Sequence, residues 1–255
     1  MRNAMRCFFV LGIMTLLLCG CSKESGKEEK IDEMQESDKQ EENYLEIDDI
    51  SWGMTVDETL KAYAVEKTDV EELTESTYAT SFYIRDGREV FGTKTESILF
   101  NFMDATLSGK TQKLCSIDIV YADDVAMNGV LEQMKLELGE TVPKIVQYDM
   151  SSMLSEDKIP RNEYEASDKL TLWASQTVSE VVPKERTSEY EKLWEIPMQW
   201  MSSEVWDKFA AEAPLVTGYC SDDASQVPVM GKKAVRLNAL NLVIYNTITE
   251  QLENN

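Results

Sequence analysis

Three strand-like runs limit the folds that the first half of this chain can adopt. They lie at residues 78–84, 97–103 and 114–121. In the middle run Ile98, Phe100 and Phe102 share one side, which is the period of a strand with one buried face. The turn signal Asp86-Gly87 follows the first run. The pattern therefore predicts an antiparallel meander that packs one face on a core.

A helix is predicted on each side of this meander. Thr55 and Glu58 have the spacing of a capping box at a helix start. After the meander, Asp123 and Asp124 are expected to open a helix that stops at Gly139. The apolar stripe of that helix consists of Met127, Val130, Leu131, Met134 and Leu138. This order of elements predicts an α+β fold, with antiparallel sheet and a few packed helices.

The second half of the chain is less regular. Strands are predicted at residues 169–174, 177–182, 216–220 and 241–249. The last of these has the most β-like composition in the chain. One helix is predicted at residues 203–211, ending before Pro214. These elements fit either one extended sheet across residues 50–255 or two subdomains, at 50–150 and 151–255.

The first 20 residues have the layout of a signal peptide. Arg2 and Arg6 precede an apolar run at residues 7–18. The run is short for a membrane span, which needs about 20 apolar residues. An uncleaved anchor helix is the alternative interpretation.

The end of the run, Leu18-Cys19-Gly20-Cys21, resembles a bacterial lipobox. Cys19 departs from the pattern, because lipoboxes more often have Ala, Ser or Thr there. The resemblance implies that residues 1–20 are removed and that the Cys21 sulfur carries a diacylglyceryl group. It also implies an extracytoplasmic protein anchored in the cell membrane. The sparse cysteine and the long acidic segment that follows resemble those of Gram-positive surface lipoproteins.

Residues 21–49 are predicted to form a disordered acidic tether. Residues 22–49 hold four Lys and twelve Asp or Glu, with too few apolar side chains to offset the entropy of ordering. The formal net charge of the chain is −22, and loss of Arg2 and Arg6 leaves 23 basic against 47 acidic residues, or −24. This charge argues against nucleic acid and against electrostatic attachment to anionic lipid.

The chain contains no histidine, which removes the commonest general base and the usual zinc ligand. Gly109-Lys110-Thr111 fails as a phosphate loop, because position 104 is Asp. Ser155 and Lys158 have the spacing of the penicillin-interacting enzymes, but Ile159-Pro160 would stop the helix that those enzymes require. We therefore predict no catalytic residue, no metal site and no cofactor.

Aromatic residues are concentrated in one part of the second half. Trp194, Trp200 and Trp206 fall within thirteen residues. They are candidates to line a glycan or peptide groove, and the alternative is that they fill the core. Cys115 and Cys220 would remain after processing, either paired as a disulfide or buried separately.

The segment Trp52-Gly53-Met54-Thr55, with the meander and helix that follow, resembles small helix-plus-sheet modules of bacterial lipoproteins, such as the β-lactamase-inhibitor-protein fold. The resemblance covers about residues 50–145 and implies a binding role.

We therefore expect a non-enzymatic surface lipoprotein that binds an envelope protein, a peptide or a glycan. An accessory subunit of an envelope complex fits the same features. The alternative is a hydrolase that needs no histidine and cleaves cell-wall or carbohydrate substrates through two carboxylates.

Overall fold

The computed structural model describes residues 45, 47, 49–85, 87–105, 111–148, 161–198, 203–222 and 233–254. Residues 42–255 belong to one compact unit. The predicted signal peptide, Cys21 and most of the predicted tether lie outside the described residues. Within the described part, no helix has the length and apolar character that crossing a membrane would require.

The described residues form six α-helices and eleven strands. The helices are α1 (Val56–Tyr63), α2 (Met127–Leu138), α3 (Val178–Val181), α4 (Thr187–Met198), α5 (Ser203–Glu212) and α6 (Leu240–Glu253). The strands are β1 (Glu71–Glu75), β2 (Ala79–Ile84), β3 (Glu89–Val90), β4 (Thr93–Lys94), β5 (Ser97–Met103), β6 (Lys113–Val120), β7 (Lys144–Tyr148), β8 (Arg161–Glu165), β9 (Leu170–Ala174), β10 (Thr217–Ser221) and β11 (Ala234–Asn238). Short 3-10 helices lie at Lys67–Asp69 and Lys184–Arg186. The α+β prediction is confirmed.

Seven strands make one antiparallel sheet in the order β1-β2-β5-β6-β11-β10-β9. Strand β11, near the end of the chain, lies between β6 and β10 and pairs with both. It joins the strands of the two halves, so the sheet is a single extended one rather than two.

One face of the sheet carries the main core, and we call it the helix face. Phe82, Phe100, Ile117 and Leu237 lie side by side on neighbouring strands and are fully buried there. The ring of Tyr63 from α1 packs edge-on against Phe100, with 5.4 Å between the ring centroids. These contacts bury the apolar side of the meander, as the alternation predicts.

Helix α2 packs on the helix face over β10. Gly218 leaves room for it, because a Cβ there would lie 2.9 Å from Met134 Cε. The indole of Trp173 donates a hydrogen bond of 2.6 Å to the carbonyl of Leu138 at the end of α2. The helix stops at Gly139, as predicted, with φ at +96°. Its start differs from the prediction: the N-cap is Ala126, and neither Asp123 nor Asp124 caps it.

The opposite face of the sheet is covered over part of its width by the β7–β8 hairpin. Ile145 and Tyr164 of the hairpin pack on Val120, Leu172 and Tyr219, which form a second, smaller apolar cluster. Tyr164 and Tyr219 meet edge to face at 5.3 Å. The hairpin is paired within itself and lies outside the seven-stranded sheet.

Several local predictions are confirmed. The capping box of α1 is complete: the Glu58 amide donates to Thr55 Oγ1 at 3.3 Å, and the Thr55 amide donates to the Glu58 carboxylate at 2.8 Å. Strand β5 has the predicted bounds. Strands β2, β6, β9 and β10 and helix α5 lie where they were predicted, within one or two residues.

The strand predicted at residues 241–249 is wrong, because this segment is helix α6. Its β-branched residues also have helical period, since Val243, Ile244 and Ile248 are buried along one stripe. The hydroxyls of Thr247 and Thr249 donate to carbonyls four residues earlier, at 2.8 and 2.9 Å. Tertiary packing therefore overrides the β propensity of the segment.

Two further predictions are corrected. Residues 177–182 do not form a strand, because Thr177 and Glu180 make a capping box that opens α3. The folded part also begins before residue 50. Leu45 and Ile47 are only 3% and 4% exposed and belong to the main core. The core therefore includes two residues of the segment that was predicted to be a tether.

Candidate functional site: an amide-lined pocket

The two described members of the predicted aromatic site lie in the core. Trp194 of α4 and Trp206 of α5 are 0% and 2% exposed, and both pack against Phe209. Their ring centroids are 5.6 Å apart. These two indoles therefore fill the interior instead of lining a groove, which is the alternative that the sequence left open. Trp200 lies outside the described residues.

The two remaining cysteines are separate buried thiols. Cys115 lies on β6 and Cys220 on β10, and β11 stands between these strands. Burial raises the pKa of each thiol to about 12. The disulfide alternative is wrong, and neither thiol is activated as a nucleophile.

A pocket lies on the sheet face opposite the helices, between β7 and the paired ends of β10 and β11. It is small, and part of it is open to solvent. Its lining consists of Val146, Gln147, Tyr148, Pro214, Thr217, Asn238, Leu240 and Asn241. The lining is thus mostly uncharged polar groups, with an apolar side chain from each of three segments.

Three amide side chains in this pocket each form a hydrogen bond through one of their two polar atoms. Tyr219 donates its hydroxyl to Gln147 Oε1 at 2.9 Å, and the Leu240 amide donates to Asn238 Oδ1 at 3.0 Å. Asn241 Nδ2 donates to the Pro214 carbonyl at 2.8 Å. Each amide is therefore held in one orientation by the fold.

The other end of each amide has no hydrogen-bond partner among the described residues. Gln147 and Asn238 each keep an NH₂ group for a ligand, and Asn241 keeps a carbonyl oxygen. A ligand amide offers one carbonyl acceptor and one N–H donor. The pocket can therefore bind a neutral amide or hydroxyl group, and its lining holds no carboxylate, amine or thiol.

A charged network fixes the β7 wall of the pocket. The hydroxyl of Tyr148 and Nε of Arg161 donate to Glu212 at 3.1 and 2.7 Å. Partial burial opposes the charge of Glu212, but these two hydrogen bonds outweigh it and hold the carboxyl pKa below its usual value. Burial, with Glu212 nearby, raises the pKa of Tyr148 to about 12. The ring of Tyr148 also packs edge-on against Phe209 at 5.2 Å.

An ion pair occupies the middle of the same sheet face. Asp118 of β6 is only 1% exposed and accepts two hydrogen bonds from Arg236 of β11, through Nε and Nη2. Burial opposes the charge of Arg236, yet the bonds to Asp118 keep its pKa above the usual value. The two charges neutralise each other, so this ion pair has a structural role and not an acid–base one.

The pocket residues gave no signal in the sequence. Gln147 and Asn238 are isolated amides, and Asn241 lies in the segment that its composition assigned to a strand. The β10–β11 pairing and the start of α6 bring Asn238 and Asn241 together, and the β7–β8 hairpin adds Gln147 through its contact with Tyr219. Among the described residues, no group of three His, Cys, Asp or Glu could hold a metal ion.

Comparison with known proteins does not add to this description. No protein-family model matches the chain, and neither a curated protein nor a solved structure matches it.

Proposed function

We propose that this chain is a non-enzymatic, lipid-anchored binding protein of the extracytoplasmic face of the cell membrane, of the Gram-positive type. The pocket of Gln147, Asn238 and Asn241 is its ligand site. The observation that carries the proposal is the set of three oriented amides with their outer ends unpaired in the described structure. Leaving such groups without a partner is costly once water is excluded, so they favour a polar ligand.

Binding fits this pocket better than catalysis does. A hydrolase that acts through two carboxylates needs both in one cleft, roughly 5–9 Å apart. The pocket lining contains no carboxylate. Glu212, beside the pocket, and Asp118, on the same face of the sheet, are each bonded to an arginine. The hydrolase alternative stays a prediction without support from this site.

The anchor is proposed at Cys21. The charge of −24 that would remain after processing repels anionic lipid, so retention at a membrane needs a covalent group. Two acyl chains anchor a protein stably, while a single chain binds only marginally. The acidic segment after Cys21 would then hold the folded part away from the membrane surface.

The binding role is tested with small amides as probes. We expect the full-length protein, purified in detergent, to bind N-acetylglucosamine or N-acetylalanine amide in calorimetry. Gln147→Leu removes one outer NH₂ and should weaken that binding at least about fivefold, the value of one hydrogen bond.

The matched control is Gln133→Leu on α2. It also removes one side-chain hydrogen bond, to Glu137, but lies outside the pocket. We expect it to leave binding unchanged. If neither probe binds the wild-type protein, or if both variants bind equally well, the proposed site is wrong.

The anchor is tested by Cys21→Ser in the native host. We expect the variant to appear in the medium or to persist as an uncleaved precursor, since the thioether cannot form. Fractionation and immunoblotting distinguish these forms from the mature protein. A mature-sized variant that still fractionates with membranes would disprove lipidation at Cys21.

A further inference from the structure

The strand register places a row of small polar residues across the sheet, on the face opposite the helices. Directly paired residues of an antiparallel sheet point to the same side. The pairs Ser81–Asn101, Asn101–Ser116, Ser116–Asn238 and Asn238–Thr217 connect five adjacent strands. We call these five residues the polar row.

The polar row runs into the amide pocket. Its last two members, Asn238 and Thr217, also line the pocket. From β2 to β10 the row crosses four strand spacings, or about 19 Å. The pocket is therefore one end of a longer polar surface.

The side chains of the polar row are smaller than those of the next row on the same face of the sheet. This next row lies two residues along each strand. There the register aligns the larger side chains Tyr83, Leu99, Asp118, Arg236 and Tyr219. From the difference in side-chain size we expect a shallow groove over serine, asparagine and threonine beside this wall. The groove runs across the strands rather than along them.

The groove has unused hydrogen-bonding groups along its length. Ser81, Asn101 and Ser116 are half-buried, and their side chains have no hydrogen bond to another described residue.

We propose that the polar row and the amide pocket form one binding groove for an extended, uncharged glycan that carries acetamido groups. The inference rests on the proposed binding function and specifies its ligand. One acetamido group occupies the pocket, where two NH₂ groups meet its carbonyl oxygen and the Asn241 carbonyl meets its N–H. Sugar hydroxyls, which both donate and accept, bond along the row.

The charge of the lining favours a neutral polymer. None of the five row residues is ionisable, and the one ion pair in the wall is internally neutralised. The acid excess of the whole chain would repel polyanions. A long neutral chain rich in hydroxyl and amide groups is the complement of this surface.

A peptide fits this surface less well. Peptides bind sheets by extending a free edge, or bind grooves by placing apolar side chains in pockets. The β9 edge is occupied in part by Val142, which pairs with Leu172. The β1 edge is acidic and broken by a bulge between Glu71 and Thr74. The five described side chains of the row are Ser, Asn and Thr, and none of them is apolar enough to anchor a peptide side chain.

The test compares the monomer and the tetramer of N-acetylglucosamine by calorimetry on the full-length protein. We expect the tetramer to bind at least tenfold more tightly, because only it reaches the row. Asn101→Ala, two strands away from Asn238, should weaken tetramer binding about three- to tenfold and leave monomer binding within twofold. Ser116→Tyr, which fills the groove, should abolish the advantage of the tetramer.

Asn128→Ala is the matched control, since Asn128 is exposed on α2. It should change neither affinity. Equal affinity of the monomer and tetramer would overturn the groove while leaving the pocket as a binding site. A neutral hexapeptide that binds where the sugars do not would overturn the glycan assignment, again leaving the pocket. No binding by any probe would overturn the inference and the proposed function together.

Discussion

The two faces of the seven-stranded sheet are built from alternate residues of the same strands, yet they differ in chemistry. On β5, Phe100 points to the core and the next residue, Asn101, to the polar row. On β11, Leu237 is fully buried between Arg236 and Asn238, which face the other way. Apolar burial is concentrated on one side, and directed hydrogen bonding on the other. Residues that stabilise the core and residues of the proposed binding surface are therefore separated by one step along each strand.

The largest effect should come from the helix face. Phe100→Ala removes a fully buried ring that contacts Tyr63 and Phe82, and should lower the free energy of unfolding by about 3–5 kcal/mol. Asn101→Ala, one residue further along β5, should change it by less than about 0.5 kcal/mol. Urea unfolding of both variants measures the difference. Similar losses for the two substitutions would mean that the faces are not divided as described.

A smaller effect is expected at the ion pair of the opposite face. Asp118→Asn leaves Arg236 without its carboxylate, and we expect a loss of about 2 kcal/mol, reduced from the value of a fully buried pair by the partial exposure of Arg236. Glu163→Gln, at the more exposed carboxylate that binds Lys144 and Arg161, should destabilise the protein much less. Thermal unfolding at pH 7 compares them. An Asp118→Asn protein as stable as wild type would show that this pair does not organise its face.

The smallest change in stability is expected at Glu212, which binds the β7–β8 hairpin beside the pocket. This change depends on pH. The folded-state pKa of Glu212 is lowered, so its stabilisation is present above its unfolded value of 4.5 and is lost as the pH falls through the folded value. Glu212→Gln should therefore cost about 1 kcal/mol at pH 7 and progressively less below pH 4.5. The urea unfolding midpoints of the wild-type and Glu212→Gln proteins, measured across this pH range, give the difference in stability.

Glu189→Gln serves as the comparison for that experiment. Glu189 is more exposed and pairs with Arg186 one helical turn away, so its removal should cost little at either pH. A gap for Glu212→Gln that stayed constant down to pH 3 would contradict the assigned contacts of the hairpin.

The helix face could be predicted from the sequence because its signals are local. The alternation of Ile98, Phe100 and Phe102 is visible within seven residues, and the capping box of Thr55 and Glu58 within four. Helix α6 could not be assigned this way. Its Val, Ile and Thr residues satisfy a two-residue and a 3.6-residue period at once, and only its packing decides between them.

The polar row was not predictable, because its members are brought together by register. Ser116 and Asn238 are separated by more than a hundred residues and become neighbours through the β6–β11 pairing. A shift of one residue in that pairing would point Asn238 into the core. A single isolated serine or asparagine carries no sign of such a partner.

The position of β11 also sets the order in which the molecule can be completed. Until residue 238 is available, β6 and β10 have no strand between them, and the sheet consists of two incomplete parts. Contacts between strands so distant in sequence form slowly, and unpaired edges expose the chain to aggregation meanwhile. A chain that leaves the cell with its N-terminus first would therefore have to wait, unfolded or partly folded, for its last strand. If this chain is exported, as we propose, its unpaired strand edges would need protection until β11 forms.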